Sequence, residues 1–285
     1  NWTVSEGCLP KTSVLSVFEP KVSTREPKEI NRERIQVQNK YCSNIGYNKT
    51  WSFDSVMLAH TFRDNKTNKI KRPPKGTSQA PVGWYLSEKF DGFRAIWDGK
   101  DFRSRTNKVF NAPGWFKLWM PPGIALDGEL FLGRCNFEGC GLINRKVPKD
   151  EEWVHVKYQV FDAPNHPGMF EERYQFIKDT IKNRCNCKNL VDIKFKIICP
   201  IRLTTQTKVN SEIEMDGIYK KLIKGGAEGI MLRAPNSPYE TKRSSYLLKV
   251  KQLFDDECKI IGYKPGSGKY TGMLGAFHCE TIKTP

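Results

Sequence analysis

Short segments of alternating apolar and polar residues limit this chain most, because period-two alternation over five to eight residues specifies half-buried strands. FRAIW and KDFRSRT flank Asp98-Gly99, and an Asp-Gly pair between alternating segments is a strong hairpin signal. ALDGELFLG, HVKYQVFDA, AEGIMLRA and SYLLKVKQ read as further strands. FEERYQFIKDTIKNR and SEIEMDGIYKKLIKGG carry helical spacing, the second closed by glycine. The expectation is an α+β domain of antiparallel sheets flanked by helices over residues 55–254. A second strand-rich stretch, CKIIGYKPGSGKYTGMLGAFHCETI, begins a smaller β domain over residues 255–285 that Pro285 cuts short. Within it KPGSGKYTG imitates a phosphate-binding loop, but Tyr270 stands where a Ser or Thr belongs after the lysine, so it reads as a turn.

Residues 1–54 hold scattered charges and few apolar clusters, with one expected helix around EINRERIQVQNKY. They read as a basic, flexible arm. DNKTNKIKRPPKGTSQAP is expected to form a mobile loop. The chain begins at Asn1, as a fragment or processed chain would. NWTVSEGCLPKTS lacks the apolar core of a signal peptide, and no apolar run nears the ~18 residues of a membrane span. A monomer, cytoplasmic or nuclear and away from membranes, is expected.

Charge narrows the partners. The net charge is +16, from 47 Lys and Arg against 31 Asp and Glu. Residues 1–82 carry 14 basic and 7 acidic side chains, so the excess is spread along the chain and is not a detachable tail. A polyanion, nucleic acid first, is the expected partner. The nine cysteines show no paired CxxC spacing that completes a zinc site, so free thiols are expected.

Four stretches carry chemistry. In SEKFDGFRAIW, Lys89 stands among apolar residues, and partial burial with nearby cations makes a lysine nucleophilic. Asp91 faces the same space, Gly92 permits a tight backbone, and Arg94 offers a planar fork for phosphate or ribose oxygens. In LDGEL, Asp127 and Glu129 share one strand face; in LLKVK, Lys249 and Lys251 do so while Leu248 and Val250 point to the core. Two lysines held side by side call for an anion such as phosphate. Glu228, beside the apolar strand of AEGIML, is placed to hold a divalent metal. Any one of these patterns also describes a solvated strand edge; the ordered set does not.

Lys89-Phe90-Asp91-Gly92-Phe93-Arg94 resembles the KxDGxR signature of covalent nucleotidyltransferases, and Ser104-Arg105, Leu126-Asp127-Gly128-Glu129, Val160-Phe161-Asp162, Glu228-Gly229 and Leu248-Lys249-Val250-Lys251 follow in that superfamily's order. GWYLSEKFDGFRAIWDGK, NAPGWF, VFDAPNHPGMFEER and GSGKYTGMLGA are similar to the minimal ATP-dependent DNA ligases of bacteria and viruses, over residues 83–280. The resemblance implies a ligase-type adenylation domain followed by part of an OB-fold barrel, with ATP and Mg2+ or Mn2+ as cofactors and nicked duplex DNA as partner. It implies that Lys89 forms a lysyl-AMP intermediate and that Glu88, Arg94, Glu129, Phe161, Lys249 and Lys251 contact the nucleotide. It further implies that Arg105 and Arg243 contact DNA and that Glu228 and Asp91 contact metal. RNA ligases and capping guanylyltransferases use the same lysine chemistry, and an idle nucleic-acid-binding relative would keep the fold. Asn107 departs from the family, which usually has glycine there, although asparagine tolerates positive φ.

Overall fold

The computed structural model describes residues 55–63, 69–71, 81–185, 199–251 and 258–281. The arm over residues 1–54, its expected helix and most of the loop after Arg63 lie outside them.

Two antiparallel-rich sheets form the main body. The first has five strands in the order β1 (Leu58–Thr61), β11 (Arg243–Lys251), β10 (Gly229–Arg233), β2 (Tyr85–Lys89) and β9 (Thr207–Lys208). The second has six, in the order β5 (Val109–Phe110), β4 (Phe102–Arg103), β3 (Phe93–Trp97), β6 (Leu126–Phe131), β7 (Lys157–Asp162) and β8 (Ile201–Leu203). Among the described strands only β1 with β11 and β7 with β8 run parallel. The Asp98-Gly99 hairpin is present: Trp97 pairs with Phe102, Asp98 Oδ1 accepts the N–H groups of Lys100 and Asp101, and Gly99 takes φ 99°.

Strand alternation separates core from site. In the first sheet Leu86, Ile230, Leu232, Leu248 and Val250 are buried on one face. Against that face lie Met215, Ile218, Tyr219 and Leu222 of the helix Glu212–Lys224, spaced three and four apart as an amphipathic helix requires. Ser211 caps this helix by accepting the Glu214 N–H at 3.1 Å, and Gly225 closes it. In the second sheet Ala95, Trp97, Leu126, Leu130, Tyr158 and Val160 enter a larger core with Phe102, Phe116 and Trp153. The helix Phe170–Cys185 brings Ile177 and Ile181 into it.

Residues 258–281 form a two-stranded hairpin of β12 (Cys258–Pro265) and β13 (Leu274–Thr281), joined by the glycine-rich turn of KPGSGKYTG. Most of its side chains, Ile260, Tyr263 and Phe277 among them, are exposed. No closed barrel is present among the described residues. The cysteine expectation needs correction: Cys140 and Cys279 are free thiols, but Cys135 and Cys199 are disulfide-bonded. No described helix is long and apolar enough to cross a membrane.

Candidate active site

The polar faces of the two sheets bound a pocket of about 770 Å³, within the size range of small-molecule sites. On the first sheet, Lys89, Gly229 and Lys251 form one row across β2, β10 and β11, and Ser87, Met231 and Lys249 form the next. Gly229 is required at the centre of its row, because a Cβ there would collide with the Val250 carbonyl oxygen. Gly92 is similarly fixed by the Leu130 carbonyl oxygen.

Glu228 precedes β10 directly. Its carboxylate pairs with the Lys89 ammonium through Oε2, while Oε1 lies 4.0 Å from Lys251 Nζ. Burial, then the nearby Lys251, Lys89 and Arg243, lower the Lys249 pKa, and Glu228 opposes them only in part. Asp91 responds in the other direction: burial and then Glu228 raise its pKa against the pull of Lys89 and Lys251. The described residues contain no group of three or more His, Cys, Asp or Glu side chains able to hold a metal by themselves. Two carboxylates in one pocket, Glu228 and Asp91, nevertheless suit Mg2+, which commonly takes one or two carboxylates together with substrate phosphates.

On the second sheet Arg94 stands opposite Glu129, and Asp127 lies on the same face, as LDGEL predicts. Asp127 holds Arg94 through two bonds, from Nε at 3.0 Å and Nη2 at 2.6 Å, and accepts the Tyr239 hydroxyl at 2.7 Å. Arg94 Nη1 donates to the Met57 carbonyl at 2.7 Å, and its guanidinium lies 5.4 Å from the centre of the Phe161 ring. Phe161 faces the pocket from a β-bulge between β6 and β7. Such bulges re-aim side chains next to sites.

Glu129 is pressed into this face, and burial pushes its carboxyl up to about 8, with Asp127 and Glu228 adding to the rise and Lys89 and Arg94 opposing it. Since this lies above the 4.5 of an unfolded chain, Glu129 costs nothing below about pH 4.5 and destabilises the fold progressively as pH rises towards 8. Glu129→Gln is therefore expected to stabilise the nucleotide-free protein at pH 8 by on the order of 1–3 kcal/mol, discounted for residual solvent contact. The difference should vanish near pH 4.5. Thermal unfolding of both proteins at the two pH values checks this; an equal gap at both would show that the carboxyl does not titrate as described.

The remaining expected residues lie around the rim. Arg105 is exposed in the turn between β4 and β5, where Asn107 adopts φ 61°, the left-handed conformation that asparagine tolerates. Arg243 opens β11 and donates to the Ala59 carbonyl. Glu88 differs: strand alternation turns its carboxylate away from Lys89 to Arg134, which donates from Nε at 2.8 Å and Nη2 at 2.7 Å.

Beneath the pocket lies a network to which the sequence reading gave no role, although it quoted Asp162 within the Val160-Phe161-Asp162 motif. Asp162 is buried between Arg173 and Arg233; burial alone would raise its pKa, but the two guanidinium groups hold it below the usual value. Arg233 and Tyr239 line the pocket, and Met57 ties the network to β1 by accepting Arg233 Nη1 at Sδ and donating its N–H to Tyr239 Oη. Asp127 had a sequence signal in its shared face with Glu129. Tyr239, Arg173 and Arg233 had none, because their partners are distant in sequence.

A lysine paired with a carboxylate and neighboured by two further lysines, in a pocket of small-molecule size between two largely antiparallel sheets, suits nucleotidyl transfer. The chain belongs to the ATP-dependent DNA ligase domain family, which it matches over residues 57–251. It is 32% identical over 225 residues to the DNA ligase of Haemophilus influenzae, spanning 79% of this chain and 74% of that protein. A structure of Lig E DNA ligases, described as DNA binding with a minimal scaffold, superposes with a TM-score of 0.60 at 27% identity over 81% of each chain. Chlorella virus DNA ligase-adenylate shares the fold, with a TM-score of 0.55 at 18% identity over 82% of this chain and 83% of that one. The activity is therefore that of an ATP-dependent DNA ligase, acting on DNA.

Proposed function

We propose that Lys89 carries the reaction through a lysyl-AMP intermediate and that the substrate is a nick in duplex DNA. The observation that supports this most is the row of Lys89, Gly229 and Lys251 with Glu228 beside it, at the phosphate-binding end of the pocket. Lys89 leaves Glu228 and gives up a proton to solvent, and its neutral Nζ attacks the α-phosphorus of ATP, forming the N–P bond and shedding a second proton as the bond to pyrophosphate breaks. The 5′-phosphate of the nick then takes AMP from Lys89, and the adjacent 3′-hydroxyl displaces AMP to join the strands. Each step is a displacement at phosphorus, so alignment and charge neutralisation are the protein's main contributions.

In this reading Lys249 and Lys251 hold the α-phosphate. Glu228 and Asp91 hold Mg2+ or Mn2+, which neutralises phosphate charge when bound. Glu129 and Arg94 fix the ribose, Arg94 being itself braced by Asp127. Phe161 stacks on the base, and Glu88 contributes through its main chain beside Lys89. Arg105 and Arg243, at the rim, meet the DNA, and the protein works as a monomer.

The test is incubation with labelled ATP and magnesium, followed by mapping of acid-labile label on the protein. Label on Lys89 that chases into sealed nicks supports the proposal, and its absence overturns it. Binding to nicked duplex should be indifferent to base sequence and fall by ~10³–10⁵ between roughly 50 and 200 mM salt if six to ten phosphates are engaged. An affinity that stays flat over that range would exclude a phosphate-dominated interface.

A further inference from the structure

The chain passes from one sheet to the other between β8 and β9, and this crossover walls one end of the pocket. At its start the Thr204 N–H donates to the Val160 carbonyl at 2.8 Å, beside Phe161. At its finish Thr207 pairs with Leu86, beside Ser87. Gln206 lies between these points and lines the pocket, as do Phe161, Ser87 and Met231. Its Oε1 is buried and has no hydrogen-bond partner among the described residues.

Buried polar atoms are paired in all but a few per cent of cases, so an orphan on a ligand pocket marks a partner supplied by the ligand. Here the pocket end is the one that Phe161 flanks, which the reading above assigns to the base. A carboxamide offers one acceptor and one donor side by side. Adenine matches that pair, with its 6-amino group as donor and ring N7 as acceptor, whereas guanine presents acceptors at both O6 and N7. We infer that Gln206 reads the purine edge in this ligase and selects adenine over guanine; the inference rests on the assignment of the Phe161 end to the base. Gln206 thus acts on specificity and takes no part in the displacement at phosphorus.

The experiment measures equilibrium affinity for ATP, for the same triphosphate lacking the 6-amino group, and for GTP. The proteins are the wild type, Gln206→Met, which is similar in size and has no hydrogen-bonding carboxamide, and Gln206→Glu, which keeps an acceptor. Wild type should lose about 10- to 100-fold on removal of the 6-amino group. Gln206→Met should bind ATP more weakly by a similar factor and no longer distinguish ATP from the analogue lacking the 6-amino group. Gln206→Glu should still distinguish them, and it decides the matter if the methionine variant does not fold. A Gln206→Met protein that keeps the wild-type preference for the 6-amino group overturns the inference, as does a Gln206→Glu protein that has lost it. Covalent labelling at Lys89, followed in the same preparations, reports on the catalytic proposal separately. Its absence would sink that proposal, while the affinity comparison still decides on Gln206.

Discussion

Lys89→Ala is expected to abolish covalent AMP attachment and nick sealing from ATP while leaving the fold and binding to nicked DNA nearly unchanged. The size of the effect follows from the chemistry: no other group can form the N–P bond at that position, and a displaced nucleophile alone costs ~10²-fold or more in rate. The fold is spared because Lys89 is partly exposed, its side chain being 23% accessible. Its loss leaves Glu228 within reach of Lys251 and of solvent. Covalent labelling, thermal unfolding and DNA affinity should be measured on the same protein. Normal protein-AMP in the variant would show that the intermediate forms elsewhere.

Asp162→Ala should have the largest effect on stability. Asp162 is 2% exposed and is the carboxylate partner of both Arg173 and Arg233, which are 0% and 5% exposed. Removing it leaves two guanidinium groups buried without their counter-charge, a loss on the order of 3–5 kcal/mol. That is a large share of the ~5–15 kcal/mol that holds a domain together. For a domain near 200 residues it corresponds to a fall in Tm of about 10 °C. Since the folded state holds the Asp162 pKa below its ordinary 3.8, its contribution is present above that pH and fades in stronger acid. Melting temperatures of wild type, Asp162→Asn and Asp162→Ala decide the point. A fall of only one or two degrees in both variants would mean that the guanidinium groups find other acceptors.

These two residues show where sequence reasoning reached and where it stopped. The sequence by itself determined the strands β3, β4, β6, β7, β10 and β11, the helix Glu212–Lys224 with its closing glycine, and the division of β6 and β11 into a core face and a polar face, while β1, β2, β5, β8 and β9 were not legible in it. Those properties depend on residues one to four positions apart, a range over which periodicity is legible. It also placed Asp127 with Glu129, and Lys249 with Lys251, because alternate residues of a strand share a side wherever the strand packs. Only the tertiary structure set Glu88 against Arg134, tied Met57 to Arg94 and Arg233, and put Asp162 between two arginines. The Met57–Arg233 contact joins residues 176 positions apart, and the Asp162–Arg233 contact 71. No local pattern encodes such pairs, because they depend on how two sheets of separate register face each other across the pocket. For the same reason Gln206 carries no signal in the sequence: it becomes conspicuous only when the crossover brings its Oε1, without a partner among the described residues, to the pocket wall.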